Sequence, residues 1–115
     1  MAEAWVRWQG DRADQRAPSR QPDWSDLHGI DGLWPRLARE HGQLQALDMA
    51  HGPAPELLSF EELHQRIGAV AAGLARHGVT SGDVVALFAE NGPRWLAVDQ
   101  GLMRLGAAAA VRGST

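Results

Sequence analysis

The sequence has no cysteine and no lysine. Without cysteine, disulfides and thiolate metal sites are excluded. Without lysine, the chain supplies no phosphate-loop lysine, no Schiff-base lysine and no lysine general base. All eleven of its basic residues are arginine. Arginine-favouring codon usage explains that bias, in line with the Ala and Gly richness, and the chemical exclusion holds either way. No run approaches the ~18 apolar residues that cross a bilayer, so no transmembrane segment is expected. The N-terminus lacks the apolar core of a signal peptide, because Arg7, Asp11, Arg12 and Asp14 interrupt it early. Net charge is -3, which gives no polybasic case for nucleic acid or an anionic membrane. The expectation is a soluble, cytoplasmic protein of one domain at most, with a modest core.

What is present is organised around residues 58–106. Ser59 sits where an N-cap belongs, and Glu62 follows at capping-box spacing. Phe60, Leu63, Ile67, Val70 and Leu74 then recur three and four apart, which predicts a helix of about five turns with one apolar stripe. Gln65, Arg66, Arg76 and His77 fall off the stripe and should face water. Gly78 can take the left-handed conformation that ends helices, and His77 suits the negative end of the dipole.

The segments before this unit are an approach to it. Residues 1–23 balance arginine against Asp and Glu with little apolar pattern, a composition that predicts a disordered tail. Trp5 and Trp8 are its exceptions: they cover a small patch, dock on the folded body or bind a partner. Residues 24–42 predict a short helix with Asp31 or Gly32 as its cap and Leu33, Trp34, Leu37 and Ala38 as its apolar face. Pro35 is tolerable there only in the first turn. Residues 43–50 and 56–58 predict an antiparallel ribbon, joined through His51-Gly52-Pro53-Ala54-Pro55.

After the turn Thr80-Ser81-Gly82-Asp83, Val84–Phe88 is short and apolar on both faces. That pattern predicts a parallel strand covered by helices on both sides. Asn91-Gly92-Pro93 opens a second helix, expected to bury Trp95, Val98, Leu102 and Leu105, with Leu96 and Met103 beside them, and to stop at Gly106. Alanine alone would favour helix over Ala107–Val111. The stop at Gly106 favours a second buried strand, completing a β-α-β unit with a right-handed crossover. The carboxyl ends of such strands are where ligands bind in open α/β sheets.

Candidate chemistry is sparse. The five histidines, at positions 28, 41, 51, 64 and 77, show no metal spacing. His64 and Asp99 have no nearby nucleophile in sequence. The turn Glu90-Asn91-Gly92-Pro93 occupies the strand-to-helix position that binds phosphates in dinucleotide folds. It has one glycine, and its proline removes an amide donor, so it matches neither a dinucleotide fingerprint nor a P-loop. Gly113-Ser114-Thr115 lacks the glycine and lysine that would complete a phosphate loop.

The order Leu58-Ser59-Phe60-Glu61-Glu62-Leu63, Ala71-Ala72-Gly73-Leu74, Gly78-Val79-Thr80-Ser81-Gly82-Asp83-Val84-Val85-Ala86-Leu87, Asn91-Gly92-Pro93-Arg94-Trp95 and Gly101-Leu102-Met103-Arg104-Leu105-Gly106-Ala107 resembles the N-terminal region of the adenylate-forming (AMP-binding) synthetases. The resemblance covers about residues 33–113. Phe88–Leu96, Asp99-Gln100-Gly101 and Ala110–Thr115 are similar to the long-chain fatty-acid branch, especially the acyl-acyl carrier protein synthetases.

The resemblance implies an α/β fold: a partial N-terminal subdomain with a helix, a short antiparallel ribbon and a β-α-β unit, left incomplete. Residues 1–23 would be tail, and residues 24–115 a truncated part of the AMP-binding domain. The implied enzyme is an acid-thiol ligase. It activates a fatty acid with ATP and Mg2+ as acyl-adenylate, then transfers it to coenzyme A or an acyl carrier protein. It would be cytoplasmic, with the peripheral membrane association such enzymes sometimes show. The family's phosphate loop, adenine and ribose motifs and C-terminal domain lie downstream of Thr115, and its catalytic lysine has no counterpart here. No catalytic, cofactor-binding or metal residue is therefore assigned. The 115-residue chain alone is expected to be inactive, to bind no ATP or Mg2+, and to pack loosely or aggregate. The rival readings are a non-catalytic binding or interaction module, and a small nucleotide-binding domain. The missing glycine-rich turn argues against the second.

Overall fold

The computed structural model describes residues 23–51 and 54–112. The expected tail and its Trp5 and Trp8 lie almost wholly outside that range, as does Gly113-Ser114-Thr115. The elements run α1 (Leu33–His41), β1 (Gln45–Met49), β2 (Glu56–Ser59), α2 (Phe60–Arg76), β3 (Val84–Phe88), α3 (Pro93–Arg104) and β4 (Ala108–Arg112). A 3-10 turn, Ile30–Gly32, leads into α1.

Helix α2 is fixed at both ends by local chemistry. The Glu62 amide donates to the Ser59 hydroxyl at 3.1 Å, and the Ser59 amide donates to the Glu62 carboxylate at 2.9 Å. The first amides are used as well. Phe60 N–H donates to the Leu44 carbonyl and Glu61 N–H to that of Gly42. At the other end Gly78 takes φ 93°. Its amide bonds the Ala75 carbonyl and the Val79 amide bonds that of Leu74. This double closure satisfies carbonyls that the helix leaves free. Helix α3 ends the same way, with Gly106 at φ 74° and the Gly106 and Ala107 amides on the Met103 and Leu102 carbonyls. Pro93 occupies its first turn, as expected.

The ribbon pairs β1 with β2 antiparallel, Leu47 opposite Leu58 and Met49 opposite Glu56, with an irregularity between Gln45 and Leu47. It packs on α2 through Leu58, Leu63 and Ile67, joined by Ala97 of α3, with Trp34, Leu47, Val70 and Leu96 around them. Strands β3 and β4 pair in parallel, Val84 opposite Ala108 and Phe88 opposite Arg112, and α3 connects them. The expected strand at 107–111 is thus present over Ala108–Arg112.

Three expectations are corrected. The β3–β4 sheet is covered on one face only: Leu87 is buried, whereas Val84 is 72% and Phe88 69% exposed. Helix α3 lies on the Leu87 side, and nothing among the described residues covers the other. The buried face of α3 also differs from the stripe read by bulk. It consists of Pro93, Ala97, Gln100, Gly101 and Leu102, while Met103 is exposed and Trp95, Val98 and Leu105 are half-buried. Close approach of α2 is the cause. A Cβ on Gly101 would stand 3.2 Å from Val70 Cγ1 and 3.3 Å from the Ala71 amide nitrogen. At Gly101 the seam has no room for a side chain, whereas Leu102 is fully buried as expected. Arg66, expected to face water, is half-buried and paired with Glu56 at 2.8 Å.

Candidate functional site

The strand-to-helix turn at residues 89–92 is the first place to look for ligand chemistry. Gly92 caps α3 with extended backbone, and no side chain caps that end. Pro93 follows and has no amide to offer. The adjoining space is a shallow groove of about 270 Å³ between β1 and α3. Leu47, Met49, Pro93, Trp95 and Leu96 line it, with Asp48 and Asn91 as its polar members. That lining suits an apolar group. An acidic Asp48 and a missing amide are the wrong equipment for a triphosphate.

The carboxyl ends of the parallel strands carry Phe88 and Arg112 side by side in register. Both are exposed. This edge holds one cation and an apolar ring. Among the described residues, no group of three His, Asp or Glu stands together as metal ligands.

The histidines fall into structural positions. His77 Nδ1 lies 2.8 Å from the Gly73 carbonyl, so that nitrogen carries the hydrogen and closes the end of α2. His64 meets Arg104 across the α2–α3 seam, with Nδ1 3.1 Å from Nη2. Burial, then the neighbouring Arg104 charge, lower the His64 pKa from its ordinary value. Asp99 does not pair with His64. It accepts a hydrogen bond from Gln100 Nε2 at 2.9 Å, while Gln100 Oε1 accepts from the Trp34 indole at 2.7 Å. This array ties α1 to α3 and leaves buried Gln100 satisfied.

Sequence reasoning missed both pairings because each joins residues far apart in the chain. For Gln100 a signal existed: Pro93, Ala97, Gln100 and Gly101 recur at helical spacing and are small or polar.

The comparisons with known proteins agree with this arrangement. A family profile described as AMP-binding enzyme matches residues 35–115. The chain is 39% identical over 99 residues to the Arabidopsis thaliana chloroplastic long-chain-fatty-acid–[acyl-carrier-protein] ligase AEE15, covering 85% of this chain and 13% of that protein. It is 36% identical over 91 residues to the probable acyl-activating enzyme 16, chloroplastic, of the same plant, covering 78% of this chain and 12% of that protein. The chain therefore spans only about an eighth of these relatives. Among solved structures it is similar to a fatty acid AMP ligase from Legionella pneumophila, with TM-score 0.73 and 20% identity, over 83% of this chain and 17% of that one. It also superposes on the NpsA N-terminal subdomain of Klebsiella oxytoca, with TM-score 0.68 and 22% identity, over 77% of this chain and 22% of that one. Those two likenesses establish the fold: the mixed α/β arrangement of helix, ribbon and β-α-β unit is part of an N-terminal subdomain of adenylate-forming enzymes. The family profile and the 39% identity go further, and on them the chain belongs to the AMP-binding enzyme family.

Proposed function

We propose that this chain forms the N-terminal scaffold of a long-chain fatty-acid ligase, with acyl carrier protein preferred over coenzyme A as the thiol acceptor. The observation that carries the reading is the 39% identity, over 85% of the chain, to a ligase of that kind. The enzyme activates a fatty acid with ATP as an acyl-adenylate and passes the acyl group to a thiol.

Within that enzyme, residues 24–115 contribute architecture and no catalytic, nucleotide-binding or metal residue. Three features support this assignment: the apolar groove beside Pro93, the sealed N-terminus of α2 and the absence of lysine from the sequence. ATP and Mg2+ are held by polypeptide outside these residues. We place the enzyme in the cytoplasm. No helix among the described residues is long and apolar enough to cross one.

The test uses the native product, captured with an antibody to residues 1–22. It is supplied with ATP, Mg2+, a long-chain fatty acid, and either holo-acyl carrier protein or coenzyme A. Formation of the fatty-acyl thioester of the carrier protein is the expected result. Coenzyme A thioester alone would overturn the acceptor, and no fatty-acid-dependent AMP release would overturn the ligase reading.

A further inference from the structure

The α2–α3 seam ends in a contact that the proposed function does not use. Arg104, in the last turn of α3, lays its guanidinium across α2. A Cβ on Gly68 would stand 3.0 Å from Nη1, so the glycine makes room for it. One turn earlier on the same face of α2, His64 presents Nδ1 at 3.1 Å from Nη2. Every guanidinium nitrogen is a donor, and the group keeps its proton. His64 Nδ1 must then be the acceptor, in a neutral ring with its hydrogen on Nε2. We propose that His64 and Arg104 form a pH-sensitive latch on the α2–α3 seam, closed while the imidazole is neutral and released when it takes a proton.

The surrounding charges leave this pair to itself. On α1 the charged groups are Arg36, Arg39, Glu40 and His41, and Arg36 is taken up by Asp26 and Glu40. On the ribbon they are Asp48 and Glu56, and Glu56 is taken up by Arg66. On α3, Asp99 accepts from Gln100, and Arg94 is exposed. On α2 itself, Glu61 is held by Gln43 and Glu62 by Ser59. Of all these charges, only Arg104 bears on the titration of His64, and it acts in the same direction as burial. Among the described residues, no carboxylate acts on His64 to stabilise a protonated ring. Protonation would put two cations within hydrogen-bonding distance of each other.

The seam matters because it carries the main packing between α1 with the ribbon and α2 on one side, and the β-α-β unit on the other. The sign of the effect follows from proton binding. The folded state holds His64 neutral more strongly than the unfolded chain, whose imidazole titrates near 6.5. Between the two values the unfolded chain binds more protons. The latch contribution is therefore complete above about pH 6.5 and is lost as pH falls through the lowered folded value. The cost appears first as local opening of the seam.

The experiment follows exchange of the imidazole C2 hydrogen by mass spectrometry in the native protein, which reads the titration of each histidine. His64 is expected to titrate below its ordinary value. The Arg104→Gln variant, which keeps a donor and removes the charge, is expected to titrate higher than wild type. Amide hydrogen exchange of the α2 and α3 peptides, corrected for intrinsic rate, supplies a second readout. On lowering pH from about 7.5 to about 5.5, across the histidine range, these peptides should exchange several-fold faster in wild type. In His64→Asn, which keeps an acceptor near Nδ1 and cannot titrate, the acceleration should largely disappear. Titration of wild-type His64 at or above its ordinary value would overturn the proposal. So would equal acid acceleration in His64→Asn. The wild-type titration needs no variant to fold.

Discussion

Two glycines inside helices should respond to the same substitution with opposite sign. Replacing glycine by alanine in a helix interior gains about 0.5–1 kcal/mol, because the unfolded chain loses freedom. At Gly73 of α2 nothing stands in the way: the nearest atom to a new Cβ is Arg76 Nη2 at 4.0 Å, the end of a flexible side chain. Gly73→Ala should therefore stabilise by about 0.5–1 kcal/mol. At Gly101 of α3 the new Cβ would meet Val70 Cγ1 at 3.2 Å, the Ala71 nitrogen at 3.3 Å and the Ala71 Cα at 3.6 Å. Backbone atoms of a neighbouring helix do not swing aside as a side chain does. Overpacking of this kind costs about 1–3 kcal/mol, which exceeds the gain. The expected net loss for Gly101→Ala is about 1 kcal/mol, a gap of roughly 2 kcal/mol between the variants. At typical urea slopes that gap separates their midpoints by roughly 1 M. Pulse proteolysis across a urea series, read with an antibody to residues 1–22, measures it in the native protein. Adding Val70→Ala to Gly101→Ala should recover only part of the loss, since the Ala71 contacts remain. Stabilisation by Gly101→Ala equal to that by Gly73→Ala would refute the close-packed seam.

Other perturbations have defined outcomes. Ser59→Ala removes half of the capping box and should cost about 1 kcal/mol in the same assay; no loss would mean the cap is dispensable. Gln100→Leu strips the Trp34 indole of its acceptor and should cost about 1–3 kcal/mol, while Trp34→Phe with Gln100→Leu should cost less than the two changes summed. The isolated 115-residue chain should self-associate through the open face bearing Val84 and Phe88. Phe88→Lys should reduce that association in sedimentation velocity, and a monomer with a sharp thermal transition would contradict it.

Helix α2 was legible because its determinants are local. Ser59 and Glu62 are three residues apart, Leu63 and Ile67 are four apart, and Gly78 follows directly. The β-α-β unit was legible for similar reasons, from a short apolar run, Asn-Gly-Pro and a glycine stop. The inner face of α3 was not. Weighing residues by bulk selects Trp95 and Leu105, whereas the width of the seam selects Ala97 and Gly101, and width is set by a helix earlier in the chain. The double-sided burial expected for Val84–Phe88 fails for a related reason. An apolar strand states what it needs on each face, not whether residues 23–112 provide it. The His64–Arg104 and Trp34–Gln100 contacts join positions 40 and 66 residues apart, and no periodicity announces such pairs. Both are products of the fold.

The central proposal is that this chain is the N-terminal scaffold of a larger fatty-acid ligase. The intact mass of the native product, captured through residues 1–22, tests it most directly. The account predicts a species several times heavier than 12.5 kDa, and a native species at 12.5 kDa would contradict it.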